Sequence, residues 1–344
     1  MSSALVQRVK DGDKPILTRE PAPVPQPGPH ELLIKVSHVA QNPTDVQSFD
    51  TNAFGDGTVL GCDFVGTIEK SGAEVSRAKE GDIIAGLIWG GEIKGLGAFA
   101  EHTIADERIS FKVPSSVPLA EAATVPLAAA TAWLALFSKD SLYIPRSPGK
   151  ELAVLIWGGS SCVGQFAVQI SAMHGFKVIT TCSEHNFDLV KSLGAHHVFN
   201  YRDSDVVKKV RDVAPDLEYV FDTIGNSDSS TLASQGIKES GGRLCTVRPG
   251  KVNTESVSKQ TTVTDVLVWT AFLKDHRYKS FFWPANQSDH DLTSELFERL
   301  PEWLESGKIR PSTAKVLKGL DAVVEGFQEH RDGKISAYKI VYEI

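Results

Sequence analysis

The hydrophobic pattern of the chain changes its period near the middle. Residues 152–157 form a short apolar run, which is typical of a strand buried on both faces. A glycine turn at 158–164 follows, and apolar residues then recur at helical spacing, as at Phe166 and Ile170. A strand, a glycine turn and a helix in this order predict the first half of a βαβ nucleotide-binding unit.

Strand and helix patterns continue to alternate after this turn, which predicts an α/β fold with a parallel, doubly wound sheet. Ser204 is the predicted N-cap of one of the helices. Further strands are predicted at 176–182, 197–201, 217–222 and 243–247, and helices at 186–193, 204–213 and 228–239.

The first third of the chain has a different pattern, with short β-branched stretches between glycine turns. This pattern predicts a small barrel-like β domain. Residues 337–344 predict a last strand, which returns to that domain. The strands of the β domain are predicted at 31–39, 59–70, 81–86, 99–104 and 109–113, and two further helices at 121–138 and 292–306.

Length and charge narrow the class of protein. A chain of 344 residues is expected to form two domains. A net charge of −7 without a long basic cluster argues against nucleic acid as a partner. The four cysteines have neither metal-ligand spacing nor a disulfide framework, which suits a reducing, cytoplasmic setting. The longest apolar stretch, 122–137, contains Pro126 and is short for a membrane span, so we expect no membrane association.

The glycine turn carries the first candidate site. Gly159 and Gly164 occupy the first and third positions of a G-x-G-x-x-G pattern, and Ser161 occupies the middle position. Amides at the start of the helix would face a pyrophosphate, and the hydroxyls of Ser160 and Ser161 could add donors. The alternative is an ordinary glycine-rich turn between a strand and a helix.

The end of the second strand bears on which dinucleotide binds. This strand ends about 20 residues past the turn, where such folds meet the adenosine ribose. Ser183 leaves room for a 2′-phosphate and can donate to it, whereas Glu184 could accept from a 2′-hydroxyl. We therefore favour NADPH over NADH.

The order of domains and several motifs resemble the medium-chain dehydrogenase/reductase superfamily. Within it, the chain is similar to zinc-free enoyl reductases that act in trans with fungal polyketide synthases, and more distantly to quinone oxidoreductases. The resemblance implies a GroES-like β-barrel catalytic domain at 1–125 and 286–344 and a Rossmann domain at 126–285. The motifs are those at 28–36, 42–45, 61–66, 81–82, 193–195 and 221–222, besides the glycine turn.

Zinc-dependent relatives carry a cysteine near position 44 and a His-Glu pair after Gly61. Here Thr44-Asp45 and Cys62-Asp63 stand in those places. A catalytic zinc needs three protein ligands and an open position, and the sequence does not supply such a set. No metal is therefore expected.

The resemblance also implies roles for individual residues. Thr131, Gln47 and Asp45 would be catalytic, and Thr124, Thr131, Trp269, Phe272 and Leu273 would face the substrate. The cofactor would contact Asn42, Pro43, Thr44, Asp45, Gly159, Ser160, Ser161, Cys162, Val163, Gly164, Ser183, Glu184, His185, Asn186, Tyr201, Val247, Arg248, Tyr338 and Lys339.

Three assignments have alternatives. Gln47 stands where fungal enoyl reductases usually have a lysine, and it can donate a hydrogen bond but cannot supply a proton. Asp45 could simply cap a turn. Phe281, Phe282 and Trp283, with Trp269 and Phe272, could form an acyl slot or pack in a core.

The function implied by the resemblance is NADPH-dependent hydride transfer to an activated double bond of an enoyl or α,β-unsaturated carbonyl, in fungal secondary metabolism. Its substrate would be a small molecule or a carrier-bound acyl group, with a polyketide synthase as partner and a monomer or homodimer as the assembly. Quinone reduction and zinc-independent alcohol or aldehyde dehydrogenation are alternatives, because a fold does not decide its chemistry. A non-catalytic NADPH-binding protein is the alternative from another class.

Overall fold

The computed structural model describes residues 2–10, 14–147, 151–278 and 281–344. The chain divides into two compact units. The first unit contains residues 1–127, 272–286 and 294–344, and the second contains 128–271 and 287–293. Residues 272–285 thus belong to the first unit, although the expected boundary placed them in the nucleotide-binding domain.

The first 122 residues form strands and two helices. They are β1 (Ser2–Arg8), β2 (Ile16–Ala22), β3 (Glu31–Ala40), α1 (Pro43–Asp50), β4 (Thr58–Val59), β5 (Asp63–Ser71), β6 (Ile83–Leu87), β7 (His102–Asp106), β8 (Ser110–Lys112) and α2 (Leu119–Ala122).

Strands and helices alternate in the middle of the chain. They are α3 (Pro126–Phe137), β9 (Ala153–Trp157), α4 (Cys162–Met173), β10 (Lys177–Cys182), α5 (Phe187–Ser192), β11 (His197–Asn200), α6 (Val206–Val213), β12 (Tyr219–Asp222), α7 (Ser227–Gln235), β13 (Gly242–Thr246) and β14 (Thr261–Asp265).

The last part of the chain contains a hairpin, two helices and two strands. They are β15 (His276–Tyr278), β16 (Phe281–Trp283), α8 (Gln287–Glu305), β17 (Thr313–Lys318), α9 (Val323–Arg331) and β18 (Tyr338–Glu343).

The first unit is built on antiparallel sheets. One sheet has the strand order β17-β18-β3-β5-β6-β8 with β7 also paired to β3, and a smaller sheet has the order β2-β1-β4. The last strand, β18, pairs antiparallel with β3 at Val341 and Ala40, so its predicted return to the β domain is confirmed. The buried core includes Ile34, Phe64 and Phe99.

The second unit contains a six-stranded parallel sheet in the order β11-β10-β9-β12-β13-β14. This confirms the predicted doubly wound α/β sheet. The strand order reverses direction at β9, and the carboxyl edge at such a point is where open α/β sheets bind ligands. The sheet is buried on both faces, with Leu155, Val220 and Leu244 in its core.

The apolar stretch around Pro126 differs from the single helix that we predicted. It forms α2 and α3, separated at 123–125, because a proline disfavours helical geometry in the residue before it. Residues 119–137 are long and apolar enough to cross a membrane by length and composition alone, but 83% of that window is buried inside the protein. Trp133 in α3 donates its indole N–H to the Leu292 carbonyl at 2.9 Å.

One local prediction is wrong, and one of two alternatives is excluded for two aromatic residues. α6 has Asp205 rather than Ser204 at its N-cap. Phe281 and Phe282 are exposed on the β15–β16 hairpin, so they are not core residues. The hairpin belongs to the first unit because the ring of Tyr278 stacks on Trp89 with centroids 6.1 Å apart.

Candidate functional site

The structure places the predicted site residues in two groups, one in each unit. In the first unit, the group begins where β3 leads into α1. Asn42 is the N-cap of α1 and Pro43 follows at its first position, where a missing N–H costs nothing. Asp45 accepts the Asn42 backbone N–H at 2.7 Å, as the acidic residue of a capping box does.

Asp63 is the centre of this group. One of its oxygens accepts the Leu127 backbone N–H at 2.7 Å, and the other accepts the Asn42 side-chain amide at 2.9 Å. The Lys339 ammonium lies 2.5 Å from this second oxygen. Asp63 is 0% exposed and Lys339 is 4% exposed, so the pair is a buried salt bridge satisfied by further hydrogen bonds.

Asp45 and Cys62 lie beside this salt bridge. The Cys62 thiol donates to Asp45 at 3.2 Å, and both residues are buried. Burial raises the pKa of Asp45 to about 7. Burial and the neighbouring Asp45 also raise the pKa of the Cys62 thiol well above its ordinary value.

These contacts do not fit a catalytic zinc ion. Zinc binds cysteine as a thiolate, whereas Cys62 is a hydrogen-bond donor here and Asp63 is occupied by an ammonium. Among the described residues, no group of three or more His, Cys, Asp or Glu side chains is arranged to hold a metal.

The other predicted residues of the first unit differ in exposure and in their contacts. Gln47 and Pro43 are exposed, whereas Asp45 is buried with Val46 and Ser48. The hydroxyl of Thr124 donates to the Glu121 carbonyl at 2.7 Å and accepts the Ser312 N–H at 3.1 Å. The Thr124 hydroxyl therefore links the backbone at Glu121 to the backbone at Ser312. Asp45 has a structural contact of its own, as part of the capping box of α1.

Tyr338 and Lys339 were both expected to contact the cofactor. Successive residues of a strand point to opposite faces. Lys339 faces Asp63, and the Tyr338 hydroxyl donates to Glu329 of α9. The structure therefore separates the two side chains.

In the second unit, the glycine turn packs against β10. A Cβ atom on Gly159 would lie 2.0 Å from the Thr180 hydroxyl, and one on Gly164 would lie 2.2 Å from the Gly158 carbonyl oxygen. Neither position accepts a side chain without a shift. Residues 160–163 are half-buried at the start of α4, where backbone amides and the helix dipole favour an anion. This turn fits the pyrophosphate of a dinucleotide.

The Ser161 hydroxyl has partners within the protein. It accepts the Gly164 N–H at 2.9 Å and lies 2.8 Å from the Thr223 hydroxyl. Thr223 donates its own proton to the carbonyls of Trp157 and Gly158, so Ser161 donates to Thr223. The Ser161 hydroxyl caps α4, which leaves Ser160 as the candidate hydroxyl donor to a phosphate.

Arg202 is a residue of the ribose end that the sequence analysis missed. Its guanidinium donates to Ser183 at 3.3 Å and lies 4.5 Å from the ring centroid of Tyr201. Glu184 instead accepts from Asn200 at 3.2 Å. The signal that could have revealed Arg202 is a basic residue just past the third strand of the sheet, next to Tyr201.

The remaining residues of the ribose end differ in exposure. His185 is exposed and Asn186 is buried, and the two form a short 3-10 turn with Glu184. Ser183 is the N-cap residue of that turn.

At the carboxyl ends of β12 and β13, Arg248 is held in place by Gly225. The Arg248 Nε donates to the Gly225 carbonyl at 3.1 Å, and the backbone N–H of Val247 donates to the Asp222 carbonyl at 3.2 Å. Asp222 accepts the Ile224 and Gly225 backbone amides at 3.0 and 3.1 Å. Arg248 thus lies at the edge of the sheet where a cofactor would bind.

The predicted substrate residues are divided between the two units. Trp269 and Thr131 are buried in the second unit, whereas Phe272 and Leu273 lie in the first. Phe272 and Leu273 line a pocket of about 230 Å³.

A parallel sheet with a glycine turn that fits a pyrophosphate, preceded in the chain by a β unit, is the arrangement expected of a dinucleotide-dependent oxidoreductase. Family models for the alcohol dehydrogenase GroES-like domain and for the zinc-binding dehydrogenase match residues 28–115 and 162–285. The chain belongs to the medium-chain dehydrogenase/reductase family, and it is an oxidoreductase of that family. This confirms the resemblance inferred from the motifs.

Individual relatives extend over nearly the whole chain. A trans-enoyl reductase of Alternaria alternata is 33% identical over 331 residues, which cover 94% of this chain and 95% of the relative. A zinc-type alcohol dehydrogenase-like protein of Schizosaccharomyces pombe is 32% identical over 98% of this chain and 99% of its own. The crystal structure of an alcohol dehydrogenase superfamily protein from Novosphingobium aromaticivorans has a TM-score of 0.80 with 21% identity over 100% of both chains, which shows the shared fold.

Proposed function

We propose that the protein is a zinc-independent, NADPH-dependent reductase of activated double bonds in fungal secondary metabolism. Its substrate is a 2-enoyl or other α,β-unsaturated carbonyl compound, either free or bound to a carrier of a polyketide synthase. The name of the Alternaria alternata relative supports this reaction. The observation that carries the choice of cofactor is the position of Arg202 beside Ser183.

The ribose end favours a 2′-phosphate on electrostatic grounds. An arginine next to a serine hydroxyl offers charge-assisted hydrogen bonds to phosphate oxygens. Glu184 would select a free 2′-hydroxyl if it turned inward, but its carboxylate accepts from Asn200 instead. Ser183, which favours NADPH, and Glu184, which favours NADH, therefore have different hydrogen-bond partners. Ser183 contacts Arg202, and Glu184 contacts Asn200.

A bound nicotinamide would supply hydride to an electron-poor carbon. The chain's own residues would bind the cofactor and orient it. The amides at the start of α4 hold the pyrophosphate, with Ser160 as the added hydroxyl donor. Arg248 borders the nicotinamide side. Lys339, fixed by Asp63, presents a buried cation in the first unit.

The cofactor is tested by replacing Arg202→Ala and comparing NADPH with NADH. A lost charged hydrogen bond of about 1.5–3 kcal/mol corresponds to a rise of roughly 10- to 100-fold in the KM for NADPH. The KM for NADH should stay the same. Lys208→Ala is the matched control, because Lys208 is an exposed cation of the same unit that pairs with Asp212.

The reaction is tested by following NADPH oxidation with a 2-enoyl thioester, a free enal and a quinone. We expect turnover of the enoyl thioester or the enal. Turnover of the quinone alone would support the quinone reductase alternative. Cofactor binding without turnover of any substrate would contradict the proposal and favour a non-catalytic NADPH-binding protein.

A further inference from the structure

The glycine turn of the second unit opens with two consecutive glycines, Gly158 and Gly159. Glycine has no Cβ atom and adopts positive and negative φ angles with similar ease, and Gly158 has a φ of +86°. The peptide plane between the two residues therefore has little intrinsic restraint. A rotation of this plane would redirect the Gly158 carbonyl, and a carbonyl oxygen directed at a phosphate repels it. Anion binding at the turn thus depends on what holds this peptide in place.

The peptide between Gly158 and Gly159 is held at both of its ends. The Gly159 N–H donates to the Thr181 carbonyl of β10 at 2.9 Å. The Gly158 carbonyl accepts the Thr223 hydroxyl at 3.0 Å and the Ser161 N–H at 3.0 Å. Thr223 directly follows β12, so the turn is tied to the strands on both sides of β9.

Thr223 uses its backbone and its side chain in these contacts. Its N–H donates to the Trp157 carbonyl at 3.1 Å, and its hydroxyl proton is shared between the carbonyls of Trp157 and Gly158, at 2.9 and 3.0 Å. The same hydroxyl accepts from Ser161 at 2.8 Å, and Ser161 accepts the Gly164 N–H at 2.9 Å. One side chain, which is 8% exposed, thus joins the end of β9, the turn and the cap of α4.

The packing around the Gly158 carbonyl is close. A Cβ atom on Gly158 would lie 2.7 Å from the Thr223 hydroxyl, and one on Gly164 would lie 2.2 Å from the Gly158 carbonyl oxygen. The glycines therefore allow both Thr223 and the first turn of α4 to approach this carbonyl. A methyl group in place of the Thr223 hydroxyl would fill the same space but would donate no hydrogen bond.

We propose that Thr223 is a positioning residue of the dinucleotide site. It fixes the Gly158 carbonyl and the Ser161 hydroxyl, so that the turn presents backbone amides rather than a carbonyl to the pyrophosphate. This inference rests on the proposed function, because it concerns the binding of the cofactor that this function requires. The pyrophosphate is common to NADPH and NADH, so Thr223 acts on both, whereas Arg202 acts on the 2′-phosphate of NADPH alone.

The test is Thr223→Val, which keeps the shape of the side chain and removes its hydroxyl. The Kd values for NADPH and for NADH, measured by titration calorimetry, should rise by the same factor, about tenfold. The kcat at saturating NADPH should stay unchanged, because the reacting groups are not altered. Thr223→Ser restores the hydroxyl and should restore the affinity for both dinucleotides.

Two controls separate this role from a general loss of structure. Thr293 is a buried threonine of the same unit whose hydroxyl also donates to a backbone carbonyl, that of Asp289 at 2.7 Å. Thr293→Val should keep the affinity for both dinucleotides. Adenosine 2′-phosphate lacks a pyrophosphate, and it should bind equally well to the unmodified protein and to Thr223→Val.

A second variant tests the same link from its other end. Ser161→Ala removes the hydroxyl that donates to Thr223, and it should also weaken the binding of both dinucleotides. Because the two hydroxyls act through one contact, the loss of affinity in the double variant should be smaller than the two single losses combined.

Unchanged dinucleotide affinities in Thr223→Val would overturn the proposal. An equal loss of affinity for adenosine 2′-phosphate would also overturn it, and so would the absence of rescue by serine. Failure of the proposed function gives a different result. The unmodified protein would then bind NADPH but reduce none of the enoyl or enal substrates, and the binding measurements would still decide the role of Thr223.

Discussion

Asp45 is a carboxylate whose surroundings oppose its charge. It is buried, and desolvation raises its pKa to about 7 despite hydrogen bonds from Asn42 and Cys62. Between the ordinary value of 3.8 and about 7, the folded state therefore binds more protons than the unfolded state. The free energy of unfolding consequently falls as pH rises through this window.

The variant Asp45→Asn tests this pH dependence of the free energy of unfolding. Asparagine keeps the shape and an oxygen for the Asn42 N–H but does not titrate. Its stability relative to the unmodified protein should rise between pH 4 and pH 7, by on the order of a few kcal/mol. Urea unfolding of both proteins at several pH values measures the difference, in which the other titrating groups cancel. A difference that stays constant across this range would contradict the buried location of Asp45.

The Asp63–Lys339 salt bridge carries the second prediction at this scale. Lys339→Met keeps most of the side-chain volume but leaves a buried charge on Asp63, which should cost about 3–5 kcal/mol of unfolding free energy. Lys208→Met, at an exposed pair, should cost less than about 1 kcal/mol.

A double-mutant cycle completes this experiment. Adding Asp63→Asn to Lys339→Met removes the uncompensated charge and should restore most of the lost stability. Costs that simply add in the double variant would mean that the two residues do not interact.

Individual residues also show which features of the site could be predicted from the sequence and which could not. The glycines of the turn were predictable because close backbone packing leaves few substitutes for glycine. The direction of a hydroxyl is set by tertiary contacts, so the capping role of Ser161 was not predictable. The pairing of Arg202 with Ser183 joins positions just past the ends of two strands, β10 and β11, and it follows only from the register in which these strands pair.

At the scale of elements, the strands of the parallel sheet that carry apolar runs were predicted, whereas several strands of the β unit, such as β1, β2 and β17, were missed. β9 is an apolar run inside the parallel sheet and β12 is mostly apolar, so their residues identify them. β2 and β17 are edge strands with many exposed residues, and their polar composition gives no clear alternation. Likewise α1 begins at an Asn-Pro pair, which resembles a turn until its capping is seen.

The glycine turn between β9 and α4 gives a prediction for an element. In Gly159→Ala, the new methyl group would collide with the Thr180 hydroxyl, which donates to the Ile156 carbonyl at 2.7 Å. The turn must then move away from β10. We expect the affinity for NADPH to fall at least tenfold, and thermal stabilisation by the cofactor to fall with it.

Gly175→Ala is the control for this variant. Gly175 follows α4 with φ of +74°, and a Cβ there meets nothing within 4 Å. It should lose stability, by about 1 kcal/mol or more, because alanine disfavours this backbone geometry, but it should keep its affinity for NADPH. Equal affinities in the two variants, measured by titration calorimetry, would contradict the role of the turn.

At the scale of the whole molecule, the order of a β region, a nucleotide-binding region and a returning strand was predictable because each has its own hydrophobic period. The assignment of residues 272–286 to the first unit was not predictable, because it depends on the packing of Tyr278 and His276 against Trp89. Aromatic residues show that a segment packs against something, but they do not show which surface it meets.

The last prediction concerns metal removal from the whole protein. The chain matches a family model named for zinc-binding dehydrogenases, yet the two places that bind zinc in such relatives hold other interactions here. Cys62 donates its proton to Asp45, and Asp63 pairs with Lys339. A zinc ion would have to displace a proton and an ammonium that the fold already stabilises.

Dialysis against a chelator should therefore change neither the rate of NADPH oxidation nor the melting temperature. Elemental analysis of the purified protein should find zinc well below one equivalent. Stoichiometric zinc, with activity that is lost on chelation and restored by zinc, would contradict this. That result would require the Asp63–Lys339 pair to open in solution, and Lys339→Met would then raise the affinity for zinc by removing the competing cation.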